Sequence, residues 1–384
     1  MVLHALPAEV LGRVVEWLQH LRVVDRSDFG RDKRIVYGAP GAALPPLALS
    51  DYFNSVGWSL GSLRDLEALK CASKTLGAKL RECRPVIAVG VEYSIAEALA
   101  CQLYGTWRVG HLVLAGKISG FAGDGFVFDW CLEHLTALSS LHMLDLRQAD
   151  LLSDGGEALD DERARQRMAS IRLLQLRRLS LRDARFHLEH LALAHLPRLE
   201  ALVVSSSALE DGEDDPCWGG RVDDAGVVKV LQAFPTLRCL DLSDSGLDSA
   251  TAQALVTHCP DLRELDFCLD PTLDALNHEG VRVLAQLQQL SALRLAVPHD
   301  LSVLHAYPSL THLDLACYGH AYKAAKGEAR LGDADITALV QGCVCLRTLR
   351  LWGDIASPSD ACASELRALL ASRHGTGCSI ELYD

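Results

Sequence analysis

An L-x-x-L-x-L pattern, with Val or Phe replacing Leu in some copies, recurs ten times along this chain, and it constrains the possible folds more than any other feature. Leu237, Leu240 and Leu242 form one copy; an Asp/Ser/Gly turn follows, and then an apolar stripe at helical spacing through Ala250, Ala254, Leu255 and Cys259. The pattern restarts 25 residues later at Leu262, Leu265 and Phe267. One strand and one helix per period predicts a stack of repeats. A single copy cannot bury its leucines, so neighbouring copies must share a continuous core.

The copies begin at Val86, Val109, Leu141, Leu176, Leu199, Leu237, Leu262, Leu290, Leu310 and Leu346, and CSIELYD at the end supplies an eleventh through Ile380 and Leu382. Intervals run from 20 residues (Leu290 to Leu310) to 38 (Leu199 to Leu237), so helices and loops vary while the strand is kept. The shortest interval leaves Leu301, Leu304 and Tyr307 for one helical turn. Full helices are expected over 95–103, 156–174, 223–234, 248–259, 335–343 and 359–373, with Asp248, Asp333 or Asp335, and Ser359 after Pro358, as N-caps.

These residues resemble the leucine-rich-repeat family over about three quarters of the chain. The resemblance implies an α/β horseshoe solenoid, with a parallel concave sheet and convex helices, over 84–384. THCPDLRELDF and QGCVCLRTLRLWG are similar to the subtype in which a cysteine ends each helix.

Residues 1–83 read as a separate helical module. LPAEVLGRVVEWL places Leu6, Val10, Val14, Trp17 and Leu18 on one helical stripe, with Pro7 suited to the first turn. DLEALKCASKTLGAKL places Leu66, Leu69, Ser73, Leu76 and Leu80 on another. The two segments resemble the halves of an F-box, split here by an insertion over 22–61. That resemblance implies docking onto a Skp-type adaptor of a cullin-based ubiquitin ligase through Leu6, Pro7, Glu9, Val10, Leu11, Leu18, Leu66, Leu69 and Leu76. The same helices also suit a cap over the apolar end of the first repeat, which a solenoid requires.

Side chains alternate along a strand, so the residues between the buried leucines share the concave face. Those positions are Met143, Asp145, Arg147; Arg178, Ser180, Arg182; Ala201, Val203, Ser205; Cys239, Asp241, Ser243; and Glu264, Asp266, Cys268. Ala292, Arg294, Ala296, His312, Asp314, Ala316, Thr348, Arg350 and Trp352 continue them. Arg147, Arg178 and Arg182 gather toward one end, Asp241, Glu264 and Asp266 form an acidic centre, and Arg350 with Trp352 closes the row. This set is the expected partner-binding face, since Trp and Arg are favoured anchors in protein interfaces.

Composition narrows the function class. Thirty-seven Lys and Arg against fifty Asp and Glu give a net charge of −13, which disfavours binding to nucleic acid or an anionic membrane surface. No uncharged apolar run reaches the roughly 18 residues of a membrane span. Glu9, Arg13 and Glu16 interrupt the first apolar stretch, so it is not a secretory signal, and a cytoplasmic or nuclear location is expected. Thirteen scattered cysteines fit buried thiols better than a disulfide framework.

No motif carries an active site. Cys343 and Cys345 form C-x-C without a second pair, and neither a G-x-S-x-G elbow nor H-E-x-x-H occurs. The histidines at 134, 142, 187, 190 and 195 read as core or surface positions. GKISGFAGDG, residues 116–125, matches no phosphate-binding loop, and the acidic stretch ALEDGEDDPCWGG, 208–220, lacks calcium-loop spacing. No metal, cofactor or catalysis is expected. The expected function is protein binding, as the substrate-recognition subunit of a cullin-based ubiquitin ligase or, alternatively, as an architectural subunit of a larger assembly.

Overall fold

The computed structural model describes residues 86–90, 108–113, 141–146, 153–154, 157–158, 160–181, 184, 186–204, 224–243, 249–267, 278–296, 301–317, 332–353, 359–375 and 378–383. The chain divides into two compact units, Met1–Phe186 with Leu193–Leu199, and His187–Ala192 with Glu200–Asp384. The F-box-like residues from Leu6 to Leu76, the insertion at 22–61 and the expected boundary at 83/84 lie outside the described residues.

In the first unit the strands β1 (Val86–Gly90), β2 (Arg108–Val113) and β3 (Met143–Asp145) pair in parallel in that order. The hairpin strands β4 (Ser153–Asp154) and β5 (Glu157–Ala158) are antiparallel to each other. Helix α1 (Asp161–Ser170) follows, and β6 (Arg178–Ser180) pairs with β3. The single helix expected over 156–174 is therefore corrected. Its first residues form a hairpin strand, and the helix starts only where Asp160 caps it, accepting from the Arg163 N–H at 2.8 Å. It ends at Ser170 because Ile171 turns extended and joins a short outer bridge, Arg172 to His195.

The second unit carries the longer array. The elements are α2 (Leu188–Leu191), β7 (Ala201–Val203), α3 (Asp224–Ala233), β8 (Cys239–Asp241) and α4 (Ser249–His258). Next come β9 (Glu264–Phe267), α5 (His278–Leu284), β10 (Ala292–Ala296), a 3-10 turn (Leu301–Ala306) and β11 (His312–Cys317). Helix α6 (Asp333–Gly342), β12 (Thr348–Gly353), α7 (Asp360–His374) and β13 (Ser379–Tyr383) complete it. Strands β7 to β13 pair in parallel in strict sequence order. This is an α/β leucine-rich-repeat solenoid, one strand and one helix or helical turn per repeat, and β13 is the eleventh rung read from CSIELYD.

The register explains why the leucines recur. Leu202, Leu240, Leu265, Leu293, Leu313, Leu349 and Ile380 face one another rung by rung, each at most 4% exposed. Leu231, Leu255, Leu284, Leu304, Leu339 and Leu366 close over them from the helical side. A fully buried leucine contributes about 1.5 to 3 kcal/mol relative to exposure, so the stack is held by its row and not by any one repeat. Where the chain enters each strand, one carbonyl accepts two successive amides. Arg238 O accepts from Arg263 N and Glu264 N, and Arg263 O from Ser291 N and Ala292 N. Ser291 O and Thr311 O repeat the arrangement. That doubling satisfies the backbone while letting repeats of unequal length keep one register.

Between the last two helices, Asp333 links the repeats: its carboxylate accepts from the Ser359 hydroxyl at 2.6 Å and from the Ser359 amide at 2.9 Å. Those bonds hold the exposed Asp333 carboxyl below the usual carboxylate range. Ser359 is the expected cap of α7, accepting from the Cys362 amide at 3.2 Å. Neither Asp333 nor Asp335 stands at the cap position of α6. Gly332 does, and Asp335 Oδ2 reaches back to accept from its amide at 2.8 Å.

Candidate partner-binding face

Residues in register across β7 to β13 form three rows in the sheet of the second unit. The row at the strand starts runs Ala201, Cys239, Glu264, Ala292, His312, Thr348 and Ser379. The central row runs Val203, Asp241, Asp266, Arg294, Asp314, Arg350 and Glu381. At the strand ends, Ala296, Ala316, Trp352 and Tyr383 occupy successive rungs.

The central row alternates in sign from Asp266 onward, and the alternation is closed by ion pairs. Arg294 Nη1 donates to Asp266 Oδ2 at 3.2 Å, with the two side chains 20% and 7% exposed. Arg350 Nη1 lies 3.8 Å from Asp314 Oδ2, with exposures of 28% and 4%. Asp241 lies in register between Val203 and Asp266. It turns to its own chain, where Oδ1 accepts from the Ser243 amide at 2.9 Å and the Ser243 hydroxyl at 2.7 Å.

The acids expected to form the centre of the face differ in exposure. Asp241 and Asp266 are buried, and of the three acids only Glu264 is half-buried. Stacking in register is the reason, because strands about 4.8 Å apart crowd equivalent side chains and cover their carboxylates. Arg350 and Arg178 are half-buried. Trp352 stands on β12 in register with Ala316 and Tyr383. Arg147 and Arg182 lie outside the described residues, as do the stretches 116–125 and 208–220. The sequence reading passed over Arg294 and Asp314 when choosing a site, although both were among the outward positions. Their signal was present as opposite charge at the equivalent position of adjacent repeats.

His312 is the titratable side chain of the first row that the surroundings change most clearly. Burial pushes its imidazole down to about 4, with Arg350 and Arg347 adding repulsion. Its Nδ1 lies 2.8 Å from Thr311 Oγ1, and the Thr311 hydroxyl donates to the Ser291 carbonyl at 2.9 Å. A hydroxyl has one proton, so Nδ1–H must donate to Thr311, and the neutral ring keeps its lone pair on Nε2.

Buried thiols and a phenol close the helix ends of the second unit. Cys259 Sγ approaches Phe234 O at 3.8 Å, Cys343 Sγ approaches Leu304 O at 3.5 Å, and the Tyr307 hydroxyl donates to Val281 O at 2.6 Å. All three reach from the end of one helix to a carbonyl of the preceding repeat. Burial pushes the Cys259 thiol up to about 12 and Cys343 up to about 11. His190 is buried, while His187 and His195 are exposed. Among the described residues, no group of three or more His, Cys, Asp or Glu is placed to hold a metal ion, and no helix is long and apolar enough to cross a membrane.

The ladder and its outward rows define the class of architecture as a leucine-rich-repeat solenoid. No protein-family model matches the chain, and no curated protein matches it. Among solved structures it is similar to the crystal structure of an internalin from Listeria monocytogenes, at 14% identity and a TM-score of 0.39, over 88% of this chain and 98% of that one.

Proposed function

We propose that this protein is a non-catalytic protein-binding subunit whose recognition surface is the outward face of β9 to β13. The observation that carries this reading is the central row Asp266, Arg294, Asp314 and Arg350, where two ion pairs fix long side chains across four adjacent strands. Preorganised arginines of this kind lose little freedom when a partner meets them.

The finer assignment is substrate receptor of a cullin-based ubiquitin ligase. It rests on the F-box-like segments, with Leu6, Pro7, Glu9, Val10, Leu11, Leu18, Leu66, Leu69 and Leu76 meeting a Skp-type adaptor. The target protein would be held by the face just described.

Affinity purification of the full chain from cells, followed by identification of what travels with it, tests both levels. The receptor reading expects adaptor, cullin and a target protein, with Leu6→Asp plus Pro7→Ala removing the first two and Glu264→Lys plus His312→Ala removing the third. A single stoichiometric partner with neither adaptor nor cullin supports the architectural alternative. Recovery of no protein that depends on the sheet face overturns the binding reading.

A further inference from the structure

We propose that the first unit carries a second docking surface, an arginine-rimmed leucine edge that binds an acidic, leucine-bearing segment of another protein. Seven arginines and no Asp or Glu fall between Arg163 and Arg182, in a chain whose net charge is −13. The fold sorts part of this run onto one edge. Along 171–178, Ile171, Leu173 and Leu176 are buried while Arg172, Leu174, Gln175 and Arg177 are exposed. In the next repeat, Ala194, Leu196 and Leu199 are buried while His195, Pro197 and Arg198 are exposed.

The two segments are locked side by side. Arg172 bridges His195 in parallel, His195 N donates to Ile171 O at 2.9 Å, and Leu173 N donates to His195 O at 3.2 Å. Arg198 Nη1 donates to Gln175 Oε1 at 2.6 Å, which fixes that guanidinium beside the turn carrying Leu174. Leu174 is 55% exposed and Leu193 42%, whereas Leu173, Leu176, Leu196 and Leu199 close the core. An exposed leucine on a segment that also exposes Arg172 and Arg177, with Arg198 tied to the neighbouring Gln175, is complementary to a leucine-sized residue flanked by carboxylates.

The same charge pattern argues against an extended polyanion. Two repeats span only about 10 Å across the strands, too narrow to track a phosphate backbone, and the acidic remainder of the chain repels one. A leucine contributes nothing to phosphate binding but adds apolar burial to a peptide complex.

Fluorescence anisotropy with the full chain and a fluorescein-labelled peptide of alternating Asp, Leu and Glu tests this. The acidic peptide should bind, its lysine-for-acid counterpart should not, and binding should weaken as salt is raised from about 50 to about 300 mM. R172E/R177E/R198E should weaken it by roughly tenfold or more, since rim charges set encounter and affinity together. Leu174→Ser alone should weaken it by roughly tenfold, as expected for losing one leucine's burial. Circular dichroism checks that each variant keeps its fold, and if the reversal set unfolds, R172Q/R177Q/R198Q replaces it. No binding of the acidic peptide, binding unchanged in the folded variants, or equal displacement by a DNA oligonucleotide or phosphatidylserine vesicles overturns the proposal. Glu264→Lys plus His312→Ala should leave this affinity unchanged, which separates the surface from the sheet face of the second unit.

Discussion

Cys259 is inert for the same reason that it is useful: it fills the end of a helix, its sulfur faces carbonyls of the preceding repeat, and water is excluded. A thiol whose folded pKa is raised from 9.0 to about 12 adds stability that is intact below pH 9 and is lost as pH rises toward 12, because only the unfolded chain releases the proton there. Alkaline melts should show this loss, and Cys259→Ala should flatten it. Iodoacetamide at pH 8 should likewise leave Cys259 and Cys343 unlabelled until denaturant is added, as mass spectrometry would report. His312 has the opposite dependence. Its imidazole is lowered to about 4 in the folded state, so the unfolded chain takes the proton first and stability falls as pH drops from 6.5 toward 4. NMR titration of the His312 ring should show it still neutral at pH 6.5 and taking up its proton only as pH approaches about 4, and His312→Gln should remove its share of the acid sensitivity. The concave position of His312 is legible from L-x-x-L-x-L spacing. Its neutrality is not, since Ser291 and Arg350 come from other repeats.

At the scale of elements, the strands carry the stability and the ion pairs set the order of the face. Leu265→Ala on β9 removes a side chain buried completely between rungs and should cost about 2 to 5 kcal/mol in a denaturant melt. Arg294→Met tests the pair differently. It strands the Asp266 carboxylate in a buried site, so it should destabilise the chain by about 3 to 5 kcal/mol, whereas Asp266→Leu with Arg294→Met should recover most of that loss. The helices were legible in outline. Asp224–Ala233, Ser249–His258 and Asp360–His374 lie within a residue of their sequence-read bounds, because apolar periodicity and caps are local signals. The hairpin at Ser153–Ala158 was missed because its pairing involves two residues per strand, too few to make a period.

At the scale of the molecule, each repeat leans on its neighbours, so removing rungs should weaken those that remain. Ending the chain before Ser359 deletes α7 and β13, and exposes the far side of β12 together with the α6 residues that α7 covers. The truncated chain should melt at lower temperature and aggregate through the uncovered strand edge, which light scattering during a thermal ramp would record. The amino-acid sequence alone determined that this protein is a stack, where its eleven rungs fall and which leucines face inward, because alternation along a strand and periodicity along a helix are properties of neighbouring residues. Tertiary structure alone decided what the outward charges do. Asp266 and Arg294, or Asp314 and Arg350, meet only because the register brings equivalent positions of unequal repeats together. The same register buries Asp241, which strand alternation alone places on the concave face without saying how covered it is. Burial depends on what other repeats place alongside a residue, and no local pattern carries that information.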